Sequence, residues 1–103
     1  KMAVKINVTG EVVTAYLSGE LDHHTAKEMR ESVDDAIELN MPSLLVLDFS
    51  GITFMDSSGI GIIMGRYKKI ALFGGKVFVV HADKQIKRIL LVSGMNKIVQ
   101  IME

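Results

Sequence analysis

Asp56-Ser57-Ser58-Gly59 sets a carboxylate, two hydroxyls and a glycine side by side where an apolar strand pattern gives way to a helical one. A helix start leaves backbone amides unpaired and carries partial positive charge. A serine there has two uses. As an N-cap it accepts a hydrogen bond from an amide of the first turn, worth about 1 kcal/mol over alanine. As a phosphoacceptor it gains about −1.5 to −2 charges, which a helix start tolerates by ~0.3–1 kcal/mol. A docked partner is less tolerant. Burying that charge unmatched, beside Asp56 and Asp22, costs ~2–5 kcal/mol, roughly 30-fold to over 1,000-fold in affinity. The spacing does not choose between the two serines. Ser58 shares a helical face with Gly61, Ile62 and Gly65, so it is expected to turn toward packing.

The remaining reactive groups form no familiar constellation. His23 and His24 are adjacent, so they cannot point from one helical face at a metal, and His81 stands alone at a strand end. Capping or surface hydrogen bonding suits them better. Neither the nucleophile elbow G-x-S-x-G nor the P-loop G-x-x-x-x-G-K-[ST] occurs. Gly59-Ile60-Gly61 with Gly65 resembles a loosened dinucleotide fingerprint, and Asp83 lies near the next strand's end. Such folds use two mononucleotide halves, for which this chain is too short. Gly61 and Gly65 are read instead as a close approach of helix to sheet. The acidic pair of a phosphorylated receiver domain is missing after the first strand. No enzymatic activity, cofactor or metal is expected.

The elements that position the turn follow from periodicity. Met2, Val4, Ile6 and Val8 alternate with polar or small residues as in a half-buried strand, and Gly10 turns the chain into a second strand, Val12 to Leu17. From Thr25, residues Ala26, Met29, Val33, Ala36 and Ile37 take helical spacing, with Asp22 or Thr25 as cap and Pro42 at the exit. Residues 44–47 are apolar on both faces, which predicts a central strand covered on each side. A second helix follows Asp56, its apolar stripe drawn through Ile60, Ile63, Met64, Tyr67 and Ala71, with Arg66 and Lys68 in solvent. Residues 77–80 make another strand. Asp83 caps a third helix bearing Ile86, Ile89 and Leu90, and residues 98–101 a short last strand. Helix–strand alternation after a hairpin implies an α/β fold with a mixed, mostly parallel sheet.

Composition narrows the class. The 103 residues suit a single domain over 1–103, and 49% apolar with 23% charged residues predicts a folded chain. Twelve Lys plus Arg balance twelve Asp plus Glu, so no net field draws nucleic acid or anionic lipid. There are no cysteines, which fits a reducing cytoplasm. No apolar run is long enough to span a membrane, and a soluble cytoplasmic protein is expected.

Phe54-Met55-Asp56-Ser57-Ser58-Gly59-Ile60-Gly61, continuing through Gly65-Arg66-Tyr67-Lys68, resembles the signature of the STAS domain of anti-sigma factor antagonists. Gly19-Glu20-Leu21-Asp22-His23-His24-Thr25-Ala26 resembles a second family segment, and Ser93-Gly94-Met95 with Lys97-Ile98 a third, all in family order. The resemblance implies partner switching. The unphosphorylated antagonist binds an anti-sigma factor that is also a serine kinase carrying ATP or ADP, which frees the sigma factor (sigma-F in sporulation). The kinase phosphorylates the first serine after the aspartate, mapping to Ser57, and a PP2C-type serine phosphatase reverses this. Asp56, Ser58 and Gly59 would support the phosphosite. The implied docking face maps to Asp22, His23, His24, Asp56, Ser57, Ser58 and Gly61, with Met55, Ile60 and Met64 as an adaptable apolar contact. Family members usually continue into a further helix past the position of Glu103. Two other functions compete: a nucleotide-binding STAS module using Gly59, Gly61 and the helix start, and a scaffold STAS domain of a stress-response complex.

Overall fold

The computed structural model describes residues 2–103. The chain runs β1 (Ala3–Thr9), β2 (Val12–Leu21), α1 (Ala26–Asn40), β3 (Leu44–Met55), α2 (Ser57–Ala71), β4 (Lys76–Val80), α3 (Lys84–Val92), a 3-10 turn (Met95–Lys97) and β5 (Gln100–Met102). The five strands lie in sequence order in one sheet, with β1 antiparallel to β2 and every later neighbour parallel. This is the expected mixed sheet with its N-terminal hairpin.

The strand order never reverses, and with the right-handed crossovers that parallel strands adopt all three helices fall on the same face. Burial follows that geometry. Val13, Ala15 and Leu17 of β2, Leu45 and Leu47 of β3, and Val77 and Val79 of β4 are buried beneath the helices. The intervening Thr14, Leu44, Val46, Phe78 and Val80 are only half-buried, and Tyr16 is exposed. The expectation that residues 44–47 are covered on both faces is therefore corrected. β1 departs from its pattern in the same sense: Met2 and Val4 face the core, whereas Ile6 and Val8 are exposed along the hairpin edge.

β2 and β3 outrun their neighbours. The β3–β4 pairing stops at Asp48 and Val80, and the β1–β2 pairing at Ala3 and Ser18. Beyond these points Gly19–Leu21 pairs only with Ile52–Met55, a two-stranded arm projecting from the C-terminal edge of the parallel strands. Two register shifts, between Tyr16 and Ser18 and between Gly19 and Glu20, reset the side-chain phase along it. At the first shift a β-carbon on Gly51 would lie 2.7 Å from the Ser18 β-carbon and 2.8 Å from the Leu17 carbonyl oxygen, so glycine is required. The arm ends with Leu21 and Met55 paired and both buried.

Helix α2 buries Gly59, Ile62, Ile63, Arg66 and Ile70. Its stripe is rotated by one residue from the predicted one: Ile60, Met64 and Tyr67 flank the core half-buried, and Ala71 is exposed. The cause is Arg66, 6% exposed rather than solvated, whose Nε lies 2.7 Å from Asp34 Oδ1 of α1. The contact is charge to charge at an angle too poor for a hydrogen bond, and both atoms are buried. Gly61 and Gly65 consequently face open space, with nothing within 4 Å of an added β-carbon. They do not mediate the close helix–sheet approach read from their spacing. In α3 only Ile86 and Leu90 are buried, and Ile89 lies at the margin of exposure.

Candidate functional site

Two loops meet at the tip of the arm, one after β2 and one after β3. The Asp56 amide donates to the Leu21 carbonyl (3.1 Å), so the second loop starts on the end of the first. In the first loop Asp22 Oδ1 accepts from the amides of His24 (2.8 Å) and Thr25 (3.2 Å), while the Thr25 hydroxyl donates to the Glu20 carbonyl (2.7 Å). Asp22 thus shapes the entry to α1 from one turn upstream. Thr25 occupies the cap position but makes no side-chain cap bond.

In the second loop Asp56 is the N-cap of α2. Its extended backbone (φ −104°, ψ −168°) lets Oδ1 accept from the Ser58 amide at 2.8 Å, and its carbonyl accepts from the Gly59 amide at 3.0 Å. The Ser58 amide bond, against a smaller desolvation and aided by the Ser58 hydroxyl and His23, holds the Asp56 carboxyl below its ordinary range. Neither serine is the cap. Ser57 takes the first helical position, exposed, and its hydroxyl joins no hydrogen bond among the described residues; Ser58 is half-buried.

Beneath the serines Gly59 is buried against Met55. A β-carbon there would lie 2.3 Å from Met55 Cγ and Sδ and 3.2 Å from Leu21 Cδ2. Met55 is itself only 5% exposed and supports the loop from below. Ile60 and Met64 remain half-buried at the rim, and Gly61 is exposed.

The adjacent histidines sit over this tip. His23 Nδ1 is 3.8 Å from Asp56 Oδ2 and His24 Nδ1 is 3.6 Å from Asp22 Oδ1, with ring centroids 3.9 Å apart. Both imidazoles are largely exposed. The structure thereby gathers Asp22, His23, His24, Asp56, Ser57, Ser58 and Gly59 at one point. His81 lies apart, left-handed at φ 61°, its Nδ1 3.1 Å from Asp48 Oδ2. Burial opposes the charged form of Asp48. The Ser50 amide and hydroxyl and His81 outweigh it and keep that carboxyl below its usual range. Nothing in the sequence pattern signalled this pair, which joins residues 33 positions apart. Among the described residues no three His, Cys, Asp or Glu side chains converge as a metal site, and no helix is long and apolar enough to cross a membrane.

The five-stranded mixed sheet with its N-terminal hairpin and three helices is the STAS fold, and here it carries an aspartate-capped serine turn on a projecting arm. The STAS domain family matches residues 3–103, and the chain belongs to that family. It is 43% identical over 90 residues to the anti-sigma F factor antagonist of Paenibacillus polymyxa, spanning 87% of this chain and 77% of that protein. Among solved structures it resembles the anti-sigma factor antagonist SpoIIAA in its unphosphorylated form (26% identity, TM-score 0.76, 98% of this chain and 88% of the other). The Bacillus cell fate determinant SpoIIAA in its phosphorylated form is similar too (28% identity, TM-score 0.74, 96% and 90%).

Proposed function

We propose that this chain is a phosphorylation-controlled antagonist of an anti-sigma factor. In the unmodified state the face at the arm's tip binds an anti-sigma factor with serine kinase activity and releases the sigma factor, sigma-F. The kinase transfers the γ-phosphoryl group of ATP to Ser57 Oγ: an O–P bond forms to serine, the bond to the ADP leaving group breaks, and the hydroxyl proton departs. The phosphate ends the interaction, and a PP2C-type serine phosphatase hydrolyses it to restore binding.

The observation that carries this reading is the division of labour in the turn. Asp56 performs the capping that a serine would otherwise supply, which leaves the Ser57 hydroxyl exposed and without a structural task. The same arrangement disfavours the nucleotide-binding alternative. The Ser58 and Gly59 amides that would cradle a phosphate are already held by Asp56, whose carboxylate would face the incoming anion. The similarity to relatives that act as anti-sigma factor antagonists, one solved in both phosphorylation states, points the same way.

Incubation with the cognate anti-sigma factor and ATP, followed by mass spectrometry, tests the site. Phosphate is expected on Ser57, and phosphate on Ser58 alone rejects the assignment. In a binding assay Ser57→Ala is expected to stay bound and unmodified, and Ser57→Asp to bind at least about tenfold more weakly.

A further inference from the structure

A phosphate on Ser57 enters an unusual electrostatic setting. The amides of Ser58 and Gly59 are taken by Asp56, and the Asp56 amide by Leu21, so most of the donors a helix start offers an anion are spent. The surrounding carboxylates are Glu20, Asp22 and Asp56. No lysine or arginine occurs in residues 11–26 or 51–65. Lys27 follows in the first turn of α1, exposed beside Glu28, and Arg66 is buried on Asp34. The basic side chains that these two loops themselves supply are the imidazoles of His23 and His24, tilted 38° to one another.

The two imidazoles are not equivalent. His24 leans on Asp22, whose Oδ1 is held by the amides of His24 and Thr25. His23 leans on Asp56, the residue directly before Ser57, and on Oδ2, the oxygen that the Ser58 amide does not use. At 3.8 Å this contact is longer than a hydrogen bond. The side chain is 73% exposed and joins no hydrogen bond among the described residues, so it can turn to a stronger anion beside it.

We infer that His23 is the binding partner of the Ser57 phosphate, forming an imidazolium–phosphate pair that replaces its looser contact with Asp56. The inference rests on Ser57 as the phosphoacceptor. Pairing draws a proton to the imidazole and favours the dianionic phosphate, so modification and proton uptake are linked reciprocally. The modified tip then carries about one negative charge less than the phosphate alone would add. The charge a partner meets depends on pH near neutrality.

The test does not require the kinase. Phosphoserine is installed at position 57 during synthesis, and the phosphate's second ionisation, ordinarily near pH 6, is followed by phosphorus NMR. In the parent its midpoint is expected about half to one pH unit below that of His23→Gln, the size of a solvent-screened pair a few ångströms apart. His23→Lys should restore the low midpoint. Identical midpoints in the parent and His23→Gln overturn the inference. So does a larger displacement in His24→Gln or Lys27→Gln. If mass spectrometry places the kinase's phosphate elsewhere, the functional reading fails, while the NMR result on the installed phosphoserine stands separately.

Discussion

Glycine-to-alanine exchange at two positions two residues apart in α2 should have effects of opposite sign. In a helix interior alanine is favoured over glycine by about 1 kcal/mol. At Gly61 nothing lies within 4 Å of the new methyl, so Gly61→Ala should realise about 0.5–1 kcal/mol of that gain. At Gly59 the methyl would sit 2.3 Å from Met55 Cγ and Sδ, where ordinary contacts begin at 3.4 Å. Met55 must retreat by roughly 1 Å in a buried site, and overpacking of this kind costs ~1–3 kcal/mol. The Gly59→Ala variant should therefore be the less stable by about 2 kcal/mol, or roughly 8–16 °C in melting temperature for a chain of this size. Thermal and urea unfolding of the two variants decide the point. A cycle with Met55→Ala adds a second criterion: with the clashing side chain removed, Gly59→Ala should cost less than in the parent. If Gly59→Ala melted as high as Gly61→Ala, Gly59 would not be the fixed point under the serine turn, and the packing of that turn would be wrongly understood.

Breaking the α1–α2 charge contact with Asp34→Asn should destabilise the chain by about 2 kcal/mol in denaturant unfolding, since it strands the buried Arg66; adding Arg66→Met should recover much of this. Asp48 and Asp56 are both held below the ordinary value of 3.8, so the stability they contribute is present above that pH and lost as pH falls through their lower folded values. Melting curves below about pH 4 should fall less steeply in Asp48→Asn and Asp56→Asn than in the parent, and unchanged slopes would contradict this. Phosphate at exposed Ser57 should leave cooperative unfolding intact, with a melting temperature within a few degrees of the unmodified chain; loss of a cooperative transition would mean that the switch works by unfolding.

The element order was legible because period-two and helical patterns alternate cleanly along the chain. Asp83 was readable as a cap, and its Oδ1 accepts from the Ile86 amide at 2.8 Å. The far half of β3 was not legible. Asp48, Ser50 and Gly51 break the apolar alternation at the very place where a register shift makes it meaningless. In α2 the phase error came from one assumption, that an arginine faces water. Moving Arg66 inward rotates the stripe onto Gly59, Ile62, Ile63 and Ile70, exchanging the roles of Gly59 and Gly61. At the site, the grouping of Asp56 with Ser57 was plain in sequence. That the aspartate and not a serine caps the helix was not legible there, because cap identity turns on one backbone dihedral.

The unbroken strand order has a consequence for how the molecule comes into being. Each strand is laid beside the one made just before it, so no segment waits for a distant partner still to be synthesised. The arm and its serine turn need only β2, β3 and the two helices that flank β3. A nascent chain grown to the end of α2 already contains every residue gathered at the tip, before β4 and β5 have left the ribosome.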